Sequence, residues 1–128
     1  MRSRILFVSG HPDDARCLSR MLQSLTITVD HVKTLQQSYA KLQQAEYGVI
    51  LTEAALPDGK WPDLLDLARQ YPGMEVIVTD PQADARFWAE ALNLGAYDLL
   101  AQPFYEPEVR RILYNACSHA DQRAMVAG

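Results

Sequence analysis

The sequence contains little cysteine, no excess of positive charge and no long apolar run. Its two cysteines, Cys17 and Cys117, both fall on apolar faces of predicted helices. Free cysteines in such positions usually act as small buried hydrophobic residues, a pattern typical of a reducing compartment and not of a disulfide framework. The first apolar stretch ends at Val8, which is too short for a signal peptide or a membrane span. We therefore expect a cytoplasmic protein that makes no membrane contact.

The charge balance excludes one class of partner. The net charge is -4 and the isoelectric point is near 5.2. An acidic chain has no electrostatic reason to bind nucleic acid or an anionic membrane by itself. With 128 residues, 48% hydrophobic and 22% charged, the chain is long enough for one domain with its own core.

Apolar stretches and helical spacing alternate along the chain. Strands are predicted at 5–8, 26–32, 48–52, 75–78 and 97–101, and helices at 12–25, 35–45, 62–71, 82–94 and 106–120. Five strand–helix units in strict alternation predict an α/β fold, a flavodoxin-like (βα)5 doubly wound sandwich. We expect a five-stranded parallel sheet in the order 2-1-3-4-5. The domain is predicted to occupy 1–120, and 121–128 to form a tail or the start of a linker.

A carboxylate stands at the end of the third predicted strand. In doubly wound sheets the ligand site lies at the carboxyl ends of the strands, where the winding reverses. Glu53 is placed at that edge, and an unpaired charge there would be costly to bury. The other residues that the topology brings to this edge are Ser9, Gly10, Thr52, Thr79, Asp80 and Gln102.

Two short motifs frame this edge. The segment GAYDLLAQPF at 95–104 is similar to the "GA.DYL.KPF" pattern of response-regulator receiver domains, and LPDG at 56–59 resembles their "(M/L)P..DG" turn. With a carboxylate four positions before Pro57 and a threonine closing the fourth strand, the whole chain resembles such a receiver. The resemblance implies a role in two-component signalling or a phosphorelay.

The resemblance also assigns site positions. In receivers an acidic pair after strand one and an aspartate after strand three bind magnesium, and that aspartate accepts a phosphoryl group. A hydroxyl after strand four and a lysine before the last proline contact that group, and strand five carries a switch aromatic. The matching positions here are Ser9 and Gly10, Glu53, Thr79, Gln102 and Leu99, and Asp80 stands where receivers carry a small residue. Only Thr79 keeps the family's residue type.

These substitutions predict an atypical receiver without phosphotransfer. A magnesium ion is usually held by carboxylates, and a transferring phosphoryl group needs cations to balance its charge. We therefore expect no metal, no other cofactor and no catalysis. Glu53 should be bonded to Gln102, Thr79 or backbone amides, either as an imitation of the phosphorylated state or as a relic. A phosphorylatable receiver with an unusual acceptor or unusual metal ligands remains the alternative.

A receiver of this kind would act through a protein partner. The resemblance points to a histidine kinase, an output domain or another signalling protein, and to helix 4, strand 5 and helix 5 as the contact face. The charged residues expected there are Arg86, Glu90, Asp98, Arg110 and Arg111. Mixed charges can pair across a two-fold axis in a homodimer, and they suit an ordinary solvated face equally well.

The segment His11-Pro12-Asp13-Asp14 supports a different hypothesis. It resembles the "HPDD" zinc motif of N-acetylglucosaminyl deacetylases, in which the histidine and an aspartate bind zinc. Ala15 stands where that motif continues with glutamate. The expected role of Asp13 and Asp14 is to support the start of the first helix. A flavodoxin is a remote alternative, because this acidic loop suits a flavin phosphate poorly.

The two tryptophans are predicted to be structural. Trp88 fits the apolar face of the fourth helix, and Trp61 is placed to cover the start of the third. Large aromatic side chains contribute most when they are buried in this way.

Overall fold

The computed structural model describes residues 3–127 and contains one parallel sheet of five strands. The strands are β1 (Arg4–Val8), β2 (Thr28–Val32), β3 (Val49–Glu53), β4 (Glu75–Asp80) and β5 (Asp98–Ala101). They lie in the order β2-β1-β3-β4-β5. The predicted fold class and strand order are confirmed.

Five helices cover the two faces of the sheet. They are α1 (Pro12–Leu22), α2 (Leu35–Gln44), α3 (Trp61–Ala68), α4 (Ala85–Leu94) and α5 (Glu106–Ala127), and a 3-10 turn, Gln23–Leu25, extends α1. Alternate strand residues bury against α2, α3 and α4 on one face and against α1 and α5 on the other. No helix within residues 3–127 combines the length and hydropathy needed to cross a bilayer.

Several element boundaries differ from the prediction. β2 begins at Thr28 because Thr26 has a positive φ of 54° and ends the preceding turn. α4 begins at Ala85, since the Asp84 carboxylate accepts a hydrogen bond from the Phe87 amide at 2.8 Å and caps the helix. The prediction that α5 ends near residue 120 is wrong, because the helix continues to Ala127.

Burial corrects the predictions for two side chains, Trp88 and Cys17, and confirms those for two others. Trp88 is 48% exposed and donates its indole N–H to Asp98 at 3.0 Å, so the predicted burial of this residue is wrong. Trp61 is 6% exposed and lies in the core, as predicted. Cys117 is buried, whereas Cys17 is only half-buried.

The turn after β3 is tied to α2 through Asp58. Two-residue strands, Ala55–Leu56 and Gly59–Lys60, form a small hairpin around this turn. The Asp58 carboxylate accepts hydrogen bonds from the amides of Leu35 at 2.8 Å and Gln36 at 3.0 Å. These bonds lower the pKa of the Asp58 carboxyl below its usual value.

We expect the free energy of unfolding of Asp58→Asn to change less with pH in the acid range than that of the wild type. A carboxyl whose pKa is lower in the folded state stabilises the fold above its unfolded pKa, about 3.9. That contribution is lost as the pH falls through the folded pKa, so the difference between wild type and variant should shrink below about pH 4. Urea denaturation from pH 6 to pH 2.5 measures it. Asp66→Asn is the control, because Asp66 pairs with Arg69 and not with backbone amides; equal pH profiles for the two variants would contradict the prediction.

Candidate functional site

The carboxyl ends of four strands, β1, β3, β4 and β5, bring most of the predicted site residues together. Val8 pairs with Thr52 in the sheet, and Glu53 pairs with Thr79. Asp80 pairs with Ala101, immediately before Gln102. Ser9 and Gly10, Thr52 and Glu53, Thr79 and Asp80, and Gln102 therefore meet at one edge, as predicted. Leu99 lies one step inside this edge, buried opposite Val78.

The Glu53 carboxylate is held by the loop between β1 and α1. Its Oε1 accepts a hydrogen bond from the Gly10 amide at 3.1 Å, and its Oε2 lies 2.6 Å from Nδ1 of His11. The expected bond to a backbone amide is confirmed. Of the three expected kinds of partner, the backbone amide is the one observed, and within residues 3–127 no hydrogen bond joins Glu53 to Gln102 or Thr79.

The partner that sequence reasoning missed is His11. The Glu53 hydrogen bond, and then the charge of that carboxylate, raise the pKa of the His11 imidazole above its usual value. The nearby Asp14 carboxylate acts in the same direction, and slight burial opposes it. His11 therefore carries more positive charge near neutral pH than an isolated histidine would.

Two polar atoms at this edge are buried without a hydrogen-bond partner among residues 3–127. They are Oγ1 of Thr79 and Nε2 of Gln102. Thr79 is 1% exposed and, because paired residues of adjacent strands point to the same face, lies beside Glu53. Such atoms ordinarily have a partner or an ordered water in proteins.

The other polar residues of the edge are used locally. The buried Ser9 hydroxyl accepts a hydrogen bond from the His11 amide at 2.9 Å. The Asp80 carboxylate accepts one from the Gln82 amide at 2.7 Å and stabilises its own turn. Thr52 donates its hydroxyl to the Glu53 carbonyl at 2.8 Å. The bonds of Ser9 and Thr52 hold the backbone from which His11 and Glu53 project, whereas the Asp80 bond is confined to the turn after β4.

Asp14 completes a cluster with His11 and Glu53. One ligand atom from each of the three side chains lies within 4.8 Å of the other two. Asp14 lies in the first turn of α1, where an acidic residue also favours the helix N-terminus. Asp13, the other acid of this turn, instead pairs with Arg16 at the surface. The His-Pro-Asp-Asp spacing was the sequence signal for this cluster, although Glu53 was not expected to join it.

The donors present do not fit the magnesium ion that the receiver resemblance implies. Magnesium prefers near-octahedral oxygen ligands, mostly carboxylates and waters. Gly10 has no side chain, Ser9 is bonded to His11, and Glu53 faces an imidazole nitrogen. A nitrogen donor among carboxylates belongs to sites for other divalent metals.

The predicted contact face is partly occupied by internal bonds. Arg110 donates to the Met21 carbonyl at 3.2 Å and to the Ser24 hydroxyl, which ties α5 to the end of α1. Asp98 accepts the Trp88 indole N–H. Arg86, Glu90 and Arg111 are exposed, as expected. Of the five charged residues proposed for this face, two therefore serve the fold.

Glu53→Gln should lower the pKa of His11 toward about 6.5, the value of an isolated histidine. The reason is that the variant removes the charge that stabilises the imidazolium. Because the raised pKa belongs to the folded state, the pair stabilises the fold below the unfolded pKa and loses this effect as the pH rises through the folded value. An NMR titration of the imidazole in EDTA measures the shift. Asp13→Asn should leave it unchanged, and an unaltered His11 pKa in Glu53→Gln would contradict the pairing.

Comparison with known proteins agrees with this architecture. The family described as "Response regulator receiver domain" matches residues 5–114. The transcriptional regulatory protein KdpE of Staphylococcus aureus is 29% identical over 114 residues, 86% of this chain and 48% of that protein. The KDP operon transcriptional regulatory protein KdpE of Escherichia coli is 26% identical over 80% of this chain and 45% of its own length. The chain thus spans about half the length of these relatives.

Solved structures show the same fold. A signal receiver domain of an HD domain-containing protein from Pseudomonas fluorescens Pf-5 is 27% identical, with a TM-score of 0.81 over 94% of this chain and 90% of that one. The beryllofluoride-activated NtrC4 receiver domain dimer is 24% identical, with a TM-score of 0.82 over 92% of this chain and 98% of that one. The chain belongs to the response regulator receiver domain family of two-component signalling.

Proposed function

We propose that this chain is an atypical receiver that acts by protein–protein interaction and does not accept a phosphoryl group. The observation that carries the proposal is the state of Glu53, at the position of the family's phosphoacceptor. Its two oxygens are engaged by the Gly10 amide and by His11. A carboxylate held in this way is a structural tie between β3 and the loop that follows β1.

The surroundings of Glu53 also disfavour phosphotransfer. Ser9 and Gly10 replace the acidic pair that holds magnesium in the family, and Gln102 replaces the lysine. These positions therefore supply neither of the two cations that would balance the charge of a transferring phosphoryl group. Glu53 is one methylene longer than aspartate, and misplacing a reacting atom by about 1 Å can cost on the order of a hundredfold in rate. The domain has no catalysis of its own under this proposal.

The partner is a histidine kinase, an output domain or another signalling protein. The surface formed by α4, β5 and α5 exposes Trp88 (48%), Leu94 (47%) and Tyr105 (67%). Exposed aromatic and apolar side chains of this kind are enriched in protein interfaces. Arg86, Glu90 and Arg111 are also exposed on α4 and α5 and carry both signs of charge, which suits a self-complementary two-fold contact. A homodimer through this surface is part of the proposal.

One observation favours the alternative of a phosphorylatable receiver with unusual ligands. Asp14 and His11 bring further donors next to Glu53. An ion held by these donors could supply the charge that Ser9 and Gly10 do not. Any phosphorylation of this chain would then depend on His11, which has no role in the family's usual scheme.

A titration with beryllofluoride and magnesium tests the proposal. Beryllofluoride bound to a receiver acts as a phosphoryl analogue, and the amide signals of Thr79 and Gln102 report on the site. We expect no saturable change in the wild-type spectrum. The combined variant Ser9→Asp, Gly10→Asp, Glu53→Asp, Gln102→Lys restores the family's residues and is the positive control. Saturable, magnesium-dependent shifts in the wild type would reject the proposal, and their loss in His11→Ala would support the alternative.

A further inference from the structure

We propose that His11, Asp14 and Glu53 form a binding site for a divalent transition-metal ion, with zinc as the best fit. This metal site goes beyond the proposed function. It binds an ion at the loop between β1 and α1, whereas the proposed function uses the surface formed by α4, β5 and α5. The site requires the unmodified Glu53 carboxylate, and its failure would leave the proposed function unaffected.

Three donor side chains lie close together, one at the end of β3 and two at the start of α1. Glu53 ends β3, whereas His11 and Asp14 lie at the start of α1. One ligand atom of each side chain lies within 4.8 Å of the others. The Glu53 side chain is 16% exposed and that of His11 is 68% exposed, so the first holds a fixed position while the second leaves the site open to an ion from solvent.

The donor types select the class of metal. Imidazole nitrogen suits zinc, copper and nickel, whereas magnesium and calcium prefer oxygen alone. Zinc binds histidine nitrogen and carboxylate oxygen at about 2.0–2.2 Å, so tetrahedral donors lie about 3.3 Å apart. His11 Nδ1 and Glu53 Oε2 are 2.6 Å apart, a hydrogen bond that needs one proton between the two atoms. A small outward movement of these two atoms, with release of that proton to solvent, makes room for the ion.

Three protein donors leave one tetrahedral position for water, as in open zinc sites. The Thr79 hydroxyl lies beside Glu53 in the sheet and is buried without a hydrogen-bond partner among residues 3–127. A hydroxyl in this position offers an acceptor or donor to a water held by the ion. This buried atom is an observation independent of the three-residue cluster, and it too points to a ligand at this edge.

The electrostatics agree with a cation. Two carboxylates face one imidazole, so the metal-binding form of the cluster, with neutral His11, carries two negative charges. A divalent ion balances them. It would also join the start of α1 to the end of β3, as the hydrogen bonds of Glu53 do in its absence.

Titration of the EDTA-treated, tag-free chain with zinc chloride tests the site by calorimetry. We expect one ion per chain, and His11→Ala or Glu53→Gln should weaken zinc binding by about a hundredfold or more, since even outer-shell changes cost 10- to 100-fold. Cobalt in place of zinc should give visible absorption bands of tetrahedral coordination. Circular dichroism and the melting temperature without metal show that each variant is folded.

Two matched variants serve as controls. Asp13→Asn changes a neighbouring acid that pairs with Arg16 outside the cluster, and His119→Ala removes a histidine that faces Glu75 at the opposite edge of the sheet. Both should bind zinc like the wild type. The proposal is overturned by a lack of saturable binding, by equal affinity in His11→Ala, by loss of binding in His119→Ala, or by magnesium displacing zinc at a similar concentration.

Discussion

Gly73→Ala should lower the free energy of unfolding by about 3 kcal/mol. Two costs add up to this value: about 1–2 kcal/mol for an alanine in the left-handed backbone conformation, and about 1–3 kcal/mol for overpacking. Gly73 has a φ of +81°, and a Cβ there would lie 2.7 Å from the Ala120 carbonyl oxygen and 2.7 Å from the Ala124 nitrogen. These are backbone atoms of α5, so the clash cannot be relieved by a side-chain rotation. Either the 72–75 turn or the end of the helix must move.

Gly95→Ala separates the two effects. Gly95 also has a positive φ, +111°, but nothing lies within 4 Å of the position of its Cβ. In this variant the free energy of unfolding should therefore fall only by the cost of placing alanine in the left-handed backbone conformation, about 1–2 kcal/mol. Chemical denaturation followed by circular dichroism measures both variants. If Gly73→Ala costs no more than Gly95→Ala, the end of α5 does not pack against the turn before β4.

The sheet could be predicted because its three central strands are apolar on both faces. Residues 5–8 are fully buried, and their side chains enter the two cores in alternation. A strand covered on both sides reads as a continuous apolar run, as β1, β3 and β4 do. These runs, together with two shorter or more polar edge strands and the helical spacing between them, leave few topologies. The position of Glu53 could be predicted in the same way, because the prediction requires only the residue at which β3 ends.

The partner of Glu53 could not be predicted in the same way. His11 precedes α1 with φ −118° and ψ 93°, and the direction of its side chain depends on these two loop angles. No pattern of apolar residues encodes them. Sequence reasoning therefore placed His11 only in a motif resembling a zinc site, and it offered Gln102, Thr79 or backbone amides as the partners of Glu53. The motif brought His11 and Asp14 to attention, but it gave no indication that Glu53 lies beside them.

The end of α5 was missed because its contacts are distant in sequence. Residues 121–128 are mostly small or polar, a composition that predicts a tail or the start of a linker. In the structure His119 and Arg123, one helical turn apart, both face Glu75, a carboxylate that is only 6% exposed. A buried charge at the start of a strand requires a partner. That requirement was the available signal, and it could have extended the helix beyond residue 120.

Arg123→Ala should lower the free energy of unfolding by about 2 kcal/mol. Breaking a fully buried ion pair costs about 3–5 kcal/mol, and we expect a smaller loss here because the arginine is half-exposed. The Arg123 guanidinium donates to Oε1 of Glu75, and 53% of the Arg123 side chain is exposed against 7% for Glu75. Without it, His119 Nδ1, 3.5 Å from Oε2, is the partner that remains among the described residues. Urea denaturation at neutral pH measures the loss.

Arg69→Ala is the matched control, since Arg69 also pairs with an acid but both side chains are about 70% exposed. A surface pair of this kind contributes about 0–1 kcal/mol, so the two variants should differ clearly. In Glu75→Gln the buried charge is absent, and adding Arg123→Ala to it should cost less than Arg123→Ala alone, because no unpaired carboxylate is left behind. If the two costs are equal, Arg123 stabilises the helix through its aliphatic stem. If the second is smaller, the ion pair with Glu75 holds the end of α5 against β4.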